Sequence, residues 1–148
     1  MGFFGIMITA GVLGLKRGTI AVAVFILIGV VGVPVFTGFR GGIAPLVGPT
    51  GGYIWGYVLM TAVIGVLTLE TPKNKWYTML RYFFAFLAGG ALCYVMGTIQ
   101  FMIVQETDFK SALGICVIPF IPFDIAKALA ASYISYAVRR ALLKAEMF

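Results

Sequence analysis

The stretch GGIAPLVGPTGGYIWGYVLMTAVIGVLTL, residues 41–69, carries no charged side chain. Two further uncharged runs cover residues 18–39 and 82–105. As helices, all three are long enough to cross a hydrocarbon core about 30 Å thick. Over 148 residues, 61% are hydrophobic and 11% are charged, against about 25% charged in soluble domains. The sequence therefore predicts one integral-membrane domain, residues 1–148, folded as an all-α transmembrane helical bundle.

Five hydrophobic segments follow one another along the chain. They cover residues 1–15, 19–34, 51–69, 79–101 and 122–138. Between the last two, residues 111–120 are apolar but end in a Pro119/Pro122 break. This piece is too short to span a membrane, so we expect a lid or a re-entrant segment. Pro122 suits the first position, N1, of the last helix.

Residues 36–52 form an apolar loop in which Gly and Pro are too frequent for a regular helix. Irregular backbone at membrane depth must be covered by protein or line a cavity, so we expect the loop to be shielded. Thr50 is placed to cap the following helix, with Gly51, Gly52 and Tyr53 in its first turn. The glycines would let a small polar ligand approach the helix start, or would let a neighbouring helix pack closely; the motif alone allows both.

Asp124 and Lys127 are the two charges inside the last hydrophobic segment, and a spacing of three places them on one helix face. A lone charge in hydrocarbon costs roughly 2.5–3.5 kcal/mol even on mild insertion scales, so the two must pair or meet polar groups. Either they form a polar pocket or they mark a helix end at the headgroup level. Tyr94 and Gln100 are polar tips that such a pocket could use.

Several function classes are excluded by residue usage. The chain has no His and two Cys, which argues against metal clusters and Cys/His catalysis. Cys93 and Cys116 are expected to be small buried hydrophobes. The sequence GxxxxGK[ST], which binds nucleotide phosphates, is absent. We therefore expect no enzyme activity, no catalytic residues, no metal and no cofactor.

The net charge of +6 predicts an orientation rather than nucleic-acid binding, because the basic residues lie in short loops and helix ends. Arg40 and Lys110 belong to one end of the bundle. The other end holds Lys16, Arg17, Lys73, Lys75, Arg81, Arg139, Arg140 and Lys144. We expect this second end, with the C-terminus, to be cytoplasmic in a multi-pass cell-membrane protein. The loop 36–52, Asp108 and the turn before Asp124 would then face outward.

Four motifs follow one another along the chain: KRGTI (16–20), GVPVF (32–36), GPTGGYIWGY (48–57) and PFIPFDIAKA (119–128). Together they resemble the BioY family, the biotin-capturing subunits of energy-coupling factor (ECF) transporters. The resemblance covers essentially the whole chain. It implies a six-helix bundle that binds biotin from outside and passes it inward with a transmembrane coupling (T) subunit and two cytoplasmic ATPases.

The same resemblance implies the site residues. Asp124 and Lys127 match the family's acidic and basic pair, implied to contact the ureido ring, and Gly51, Gly52 and Tyr53 match the helix start beside the ligand. The apolar ring of biotin suits aromatic neighbours; those expected are Phe36, Phe39 and Tyr53, with Thr50 completing the site.

Two departures from the family pattern accompany the resemblance. Phe123 stands where the family has Gly, and we expect it to narrow the turn before Asp124. Residues 1–15 resemble the family's second helix, so a first helix, implied to dock the coupling subunit, is not represented. With Lys16 cytoplasmic, Met1 would lie about 22 Å away, barely at the outer edge of the hydrocarbon. We therefore expect residues encoded upstream to complete the bundle.

Two other functions remain open from the residues. The chain could capture a different small vitamin. It could also be a structural membrane subunit in which the Asp124/Lys127 pair holds an assembly together.

Overall fold

The computed structural model describes residues 2–70 and 73–146, and its regular structure is helical. Phe36 and Arg40 form one isolated β-bridge. The six helices are α1 (Gly2–Val31), α2 (Ala44–Val47), α3 (Gly51–Leu67), α4 (Lys75–Gln105), α5 (Phe109–Cys116) and α6 (Ile121–Lys144). This confirms the prediction of an all-α bundle. Met1 and part of the polar loop after Glu70 lie outside the described residues, and so does the expectation about the position of Met1.

The long helix α1 is broken at Gly14, whose φ of 73° and ψ of −167° are not helical. A β-carbon built on Gly18 would lie 3.5 Å from the Cα atom of Ala10, so the two halves fold back on each other. Glycine adopts this left-handed φ without a steric penalty. The two separate segments expected around the Lys16-Arg17 turn are therefore present.

By length and apolar composition alone, α1 and α4 of the described chain qualify as spanning helices, but the break at Gly14 divides α1 into two shorter halves that fold back on each other. The pair α5 and α6, bent by 49°, would count as a third span, and the apolar α3 is shorter. The bend confirms that the Pro-broken piece before α6 does not span by itself. The chain is a multi-pass membrane protein.

Helix α3 lies between α1 and α4, and α6 packs across α1 and α4. Small residues allow the closest approaches: Gly56 on α3 faces Cys93 on α4, and Gly89 on α4 faces Ile64 on α3. Larger side chains such as Met60 then fill the core between the helices. Close packing of this kind is the main attraction between helices in lipid, where no hydrophobic effect drives association.

Helices α4 and α6 both extend beyond their predicted ends. Asn74 starts α4 earlier than expected, because its side chain accepts a 3.0 Å hydrogen bond from the Trp76 backbone N–H. Helix α6 continues past Val138 to Lys144, a residue favoured at a helix C-terminus by the helix dipole. Charged residues ended the hydrophobic runs but did not end the helices.

One arginine joins the four main helices at the basic end of the bundle. Arg139 on α6 donates from Nη1 to the backbone oxygens of Gly11 (3.4 Å) and Thr68 (3.0 Å) and to the Tyr82 hydroxyl (3.1 Å). These acceptors belong to α1, to the C-cap of α3 and to α4. Arg139 therefore links α6 to the rest of the bundle.

Candidate functional site

The start of α6 places Asp124 in the first helical turn. Helix α6 begins at Ile121 with Phe120 as its N-cap, so Pro122 is the second helical residue and not, as predicted, the first. The Asp124 N–H donates to the Phe120 carbonyl at 2.9 Å. A carboxylate at this position is favoured by the positive end of the helix dipole. Phe123 points outward and is 67% exposed, so the expectation that it narrows the turn is wrong.

Asp124 is buried and both of its carboxylate oxygens have partners. Lys127 Nζ donates to Oδ1 at 3.2 Å, and the hydroxyl of Tyr94 donates to Oδ2. The Asp124 side chain is 11% exposed and the Lys127 side chain is 34% exposed. The prediction that the two charges pair is confirmed, and a phenol from α4 joins them.

Aromatic rings surround this charged group. The Tyr94 ring meets the Tyr53 ring edge to face, with centroids 5.9 Å apart, and lies 5.7 Å from the Phe3 ring. Phe3 also meets Tyr57 at 6.5 Å. Three helices, α1, α3 and α4, thus supply rings beside a carboxylate and an ammonium group on α6.

A cavity of about 380 Å³ opens between these groups, within the ~300–1,000 Å³ typical of small-molecule sites. We call it the charged cavity. Its lining includes Asp124, Lys127 and Tyr94 together with Tyr53 and Tyr57. The remaining wall is Gly2, Phe3, Thr37, Pro49, Thr50, Ile54, Phe101, Ile115, Cys116 and Phe120. It combines many apolar contacts with a few convergent polar groups, as small-ligand sites do.

Thr50 lies on the wall of the charged cavity, but it caps α3 differently from the prediction. It occupies the N-cap position with φ −93° and ψ −3°, and its side chain makes no capping hydrogen bond. Side-chain capping needs extended backbone at this residue, which places the oxygen over the next amides. The prediction of a Thr50 cap is right in position and wrong in mechanism.

Gly51 and Gly52 are buried and are not among the residues that line the charged cavity. A β-carbon on Gly52 would lie 2.8 Å from Gln100 Cβ and 2.9 Å from Gly97 Cα, and one on Gly51 would collide with the Leu46 carbonyl. Of the two roles that the sequence left open, the structure gives them close packing between the loop, α3 and α4. Their contact with a ligand stays a prediction.

Phe36 and Phe39 lie in a neighbouring cavity of about 350 Å³, which shares Gly2, Thr37, Ile54 and Tyr57 with the charged cavity. Phe36 is buried, since Gly29 leaves room for its ring. Phe39 is 89% exposed and has a left-handed φ of 56°. Within the described residues, Phe36 is covered by protein and Phe39 lines a cavity, which are the two conditions expected for irregular backbone in this loop.

Gln100 holds the loop that forms part of the wall of the charged cavity. Its Nε2 donates to the carbonyls of Leu46 and Gly48, each at 2.8 Å, so it holds the loop against α4. Of the two polar tips suggested on this helix, Tyr94 reaches the cavity and Gln100 positions its wall. Buried carbonyls of an irregular loop need such partners.

Phe3, Thr37 and Tyr57 are among the wall residues that sequence reasoning missed. Tyr57 follows Tyr53 by four positions and so shares its helix face, a signal that could have identified it. Phe3 and Thr37 have no local signal, because chain segments far apart in sequence bring them to the cavity. Cys93 and Cys116 are free and buried, as predicted.

A larger cavity of about 610 Å³ lies along α4, α5 and α6. It shares Phe3, Tyr94 and Asp124 with the charged cavity, but its other lining residues are apolar except Thr98. Lys127 does not line it. The charged cavity is the better candidate because it holds both members of the ion pair. No group of three His, Cys, Asp or Glu side chains that could hold a metal occurs within residues 2–70 and 73–146.

Known proteins resemble this chain along most of its length. The sequence profile of the BioY family matches residues 1–144. The biotin transporter BioY of Thermotoga maritima is 36% identical over 137 residues, covering 93% of this chain and 78% of the relative. BioY2 of Lactococcus lactis subsp. cremoris, also a biotin transporter, is 33% identical over 135 residues, covering 91% and 72%. A solved S-component for biotin from an ECF-type ABC transporter superposes with a TM-score of 0.81 at 30% identity, covering 93% of this chain and 73% of that one.

Proposed function

This chain belongs to the BioY family, and on that basis we propose that it captures biotin in the charged cavity as the substrate-binding subunit of an ECF-type transporter. The observation that carries the proposal is a buried carboxylate, paired with an ammonium group and a phenol, in a cavity walled by aromatic rings. The chain itself would perform no catalysis.

The polar end of biotin complements the charged group. Its ureido ring offers two N–H donors and one carbonyl acceptor. Each carboxylate oxygen has about two acceptor positions, and in Asp124 one position on each oxygen is used, by Lys127 and by Tyr94. The remaining positions suit two N–H donors, and the Lys127 ammonium suits the ureido carbonyl.

The apolar part of biotin matches the rest of the wall. Tyr53, Tyr57 and Phe3 present rings next to the charged group, so a fused ring bound at Asp124 would contact aromatic faces. These rings also contact one another. Mutual packing restricts their rotation, which lowers the ordering cost of binding.

The orientation follows from charge. Eight basic residues belong to the end where Arg139 joins the helices, and Arg40 and Lys110 belong to the other. By the positive-inside rule, the charged cavity faces outward and the C-terminus is cytoplasmic. Import would then depend on a transmembrane coupling subunit and on ATPase subunits, since the sequence contains no GxxxxGK[ST] loop.

Equilibrium binding of radiolabelled biotin to the purified protein in nanodiscs tests the proposal. We expect saturable binding that unlabelled biotin displaces and that riboflavin and thiamine do not. Saturable binding of labelled riboflavin or thiamine, without binding of labelled biotin, would favour the capture of that vitamin. Absence of vitamin binding by well-folded protein would favour the structural-subunit alternative, although Asp124 and Lys127 already pair within one chain and so need no neighbour.

A further inference from the structure

A second cavity, of about 230 Å³, lies at the basic end of the bundle, between the first turns of α4 and the end of α6. Its lining residues are Lys73, Thr78, Tyr82, Tyr136, Arg139, Arg140 and Leu143. Three of these carry positive charge. Among the described residues, no acidic side chain lines the cavity.

The arginines of this basic cavity lack acidic counterparts. Arg139 donates to two backbone carbonyls and to the Tyr82 hydroxyl, all of them neutral acceptors. Within residues 2–70 and 73–146, the ion pairs join Arg81 to Glu70 and Lys127 to Asp124, so neither arginine of the cavity nor Lys73 has a carboxylate within 4.0 Å. Arg139 is partly buried, whereas Lys73 and Arg140 are exposed. Three neighbouring cations without an acidic partner raise the local potential and attract an anion.

Neighbouring groups orient Arg140 in the cavity and add to the positive field there. Arg140 Nη1 donates to the Tyr136 hydroxyl at 2.7 Å, and its guanidinium lies 5.9 Å from the centre of that ring. Thr78, in the first turn of α4, forms part of the wall, so the positive end of this helix dipole adds to the cationic field. Both features favour a compact, multiply charged oxyanion over a diffuse counterion.

The cavity also lies at the depth of lipid headgroups. Trp76 and Tyr77, at the start of α4, are 72% and 59% exposed, as interfacial anchors are. Leu143 supplies an apolar edge. Basic pockets between transmembrane helices at this level bind phosphate-bearing headgroups.

We propose that the basic cavity binds a phosphate group, carried by an anionic lipid headgroup or by a free phosphate compound, with Lys73 and Arg140 as its main contacts. Arg139 contributes charge while it holds the helices together. The site is independent of biotin capture, because its residues lie on the far side of the bundle from Asp124.

The test compares thermal melting of the purified 148-residue protein in neutral detergent with added phosphatidylglycerol, phosphatidylcholine or inorganic phosphate. The variant K73Q/R140Q removes two cavity charges. The control R40Q/K110Q removes two charges at the opposite end. Because a ligand that binds only the folded state raises the melting temperature, phosphatidylglycerol or phosphate should stabilise the unaltered protein and the control, and about tenfold more ligand should be needed for K73Q/R140Q.

Comparing the added ligands distinguishes a lipid headgroup from a soluble compound as the source of the phosphate. An effect of phosphatidylglycerol without one of inorganic phosphate identifies a lipid headgroup, and an effect of inorganic phosphate alone identifies a soluble compound. Equal responses of K73Q/R140Q and R40Q/K110Q would overturn the proposal. If K73Q/R140Q does not fold, Tyr136→Phe is tested in its place. This variant keeps every charge and removes only the hydrogen bond that orients Arg140. An unchanged ligand response in Tyr136→Phe would equally overturn the proposal. Biotin affinity should be the same in all folded variants.

Discussion

Replacement of Asp124 tests the biotin site most directly. Asp124→Ala removes the proposed acceptor for the ureido N–H groups and leaves both the Lys127 ammonium and the Tyr94 hydroxyl without their partner. An unsatisfied buried polar group costs about 1–3 kcal/mol. Breaking a fully buried ion pair costs about 3–5 kcal/mol, which must be reduced here because the Lys127 side chain is 34% exposed.

We therefore expect Asp124→Ala to weaken biotin binding by about 2–4 kcal/mol, or roughly 30- to 700-fold in Kd. Asp124→Asn keeps the shape and one acceptor oxygen, so its loss should be smaller, about 1–2 kcal/mol. Radiolabelled biotin binding to nanodisc-embedded protein measures both. Melting temperatures in the same samples separate loss of the site from loss of the fold.

Asp108→Asn is the matched control. Asp108 is exposed, and its hydrogen bond with Ser111, at the start of α5, holds the pKa of the carboxyl below its usual range. Asparagine changes the net charge by the same amount and caps a helix as well as aspartate does. Its biotin affinity should match that of the unaltered protein. If Asp124→Ala also binds biotin within twofold of the unaltered protein, the carboxylate does not contact the ligand and the proposed binding mode is wrong.

Three further predictions concern orientation, packing and the basic end. With the orientation proposed here, Lys110→Cys should react with a membrane-impermeant maleimide on intact cells and Lys73→Cys only after lysis; the reverse pattern would invert the topology. Gly52→Ala should lower the melting temperature, because overpacking costs about 1–3 kcal/mol. The control Gly114→Ala should leave it unchanged, because nothing lies within 4 Å of the added carbon. Equal melting temperatures of the two variants would refute the close packing at Gly52. Arg139→Gln removes the guanidinium that links α6 to the other helices. It should lower the free energy of unfolding by about 2–3 kcal/mol in a denaturation assay and leave biotin affinity unchanged. A fall in affinity without a fall in stability would contradict a purely structural role.

Local chemistry made part of this protein predictable from its sequence. Long uncharged runs can only be satisfied in lipid as helices, because every backbone amide must find a partner within its own segment. Asp124 and Lys127 had to pair or to meet other polar groups, because a spacing of three places them on one face and hydrocarbon penalises a single charge. The Gly-Pro-rich loop and the Pro-broken piece before α6 followed from residues that cannot continue a helix.

The sequence could not predict in the same way which side of each helix contacts its neighbours. A helix that is apolar all round carries no hydrophobic stripe to show which side meets its neighbours, so the sequence of α3 or α4 does not reveal its rotation. Tyr94, thirty positions from Asp124, becomes its partner only once α4 and α6 have packed. The same packing turns Gly52 toward α4.

Helix rotation and tilt are set by packing against neighbours. For this reason the sequence alone determined the class of the protein, its run of spanning segments and the need for one ion pair. The tertiary structure decided which rings surround that pair, that Gln100 holds the loop and that Arg139 joins the helices at the opposite end. Each of these contacts joins residues that are distant in sequence, and their energies depend on the whole bundle rather than on any one segment.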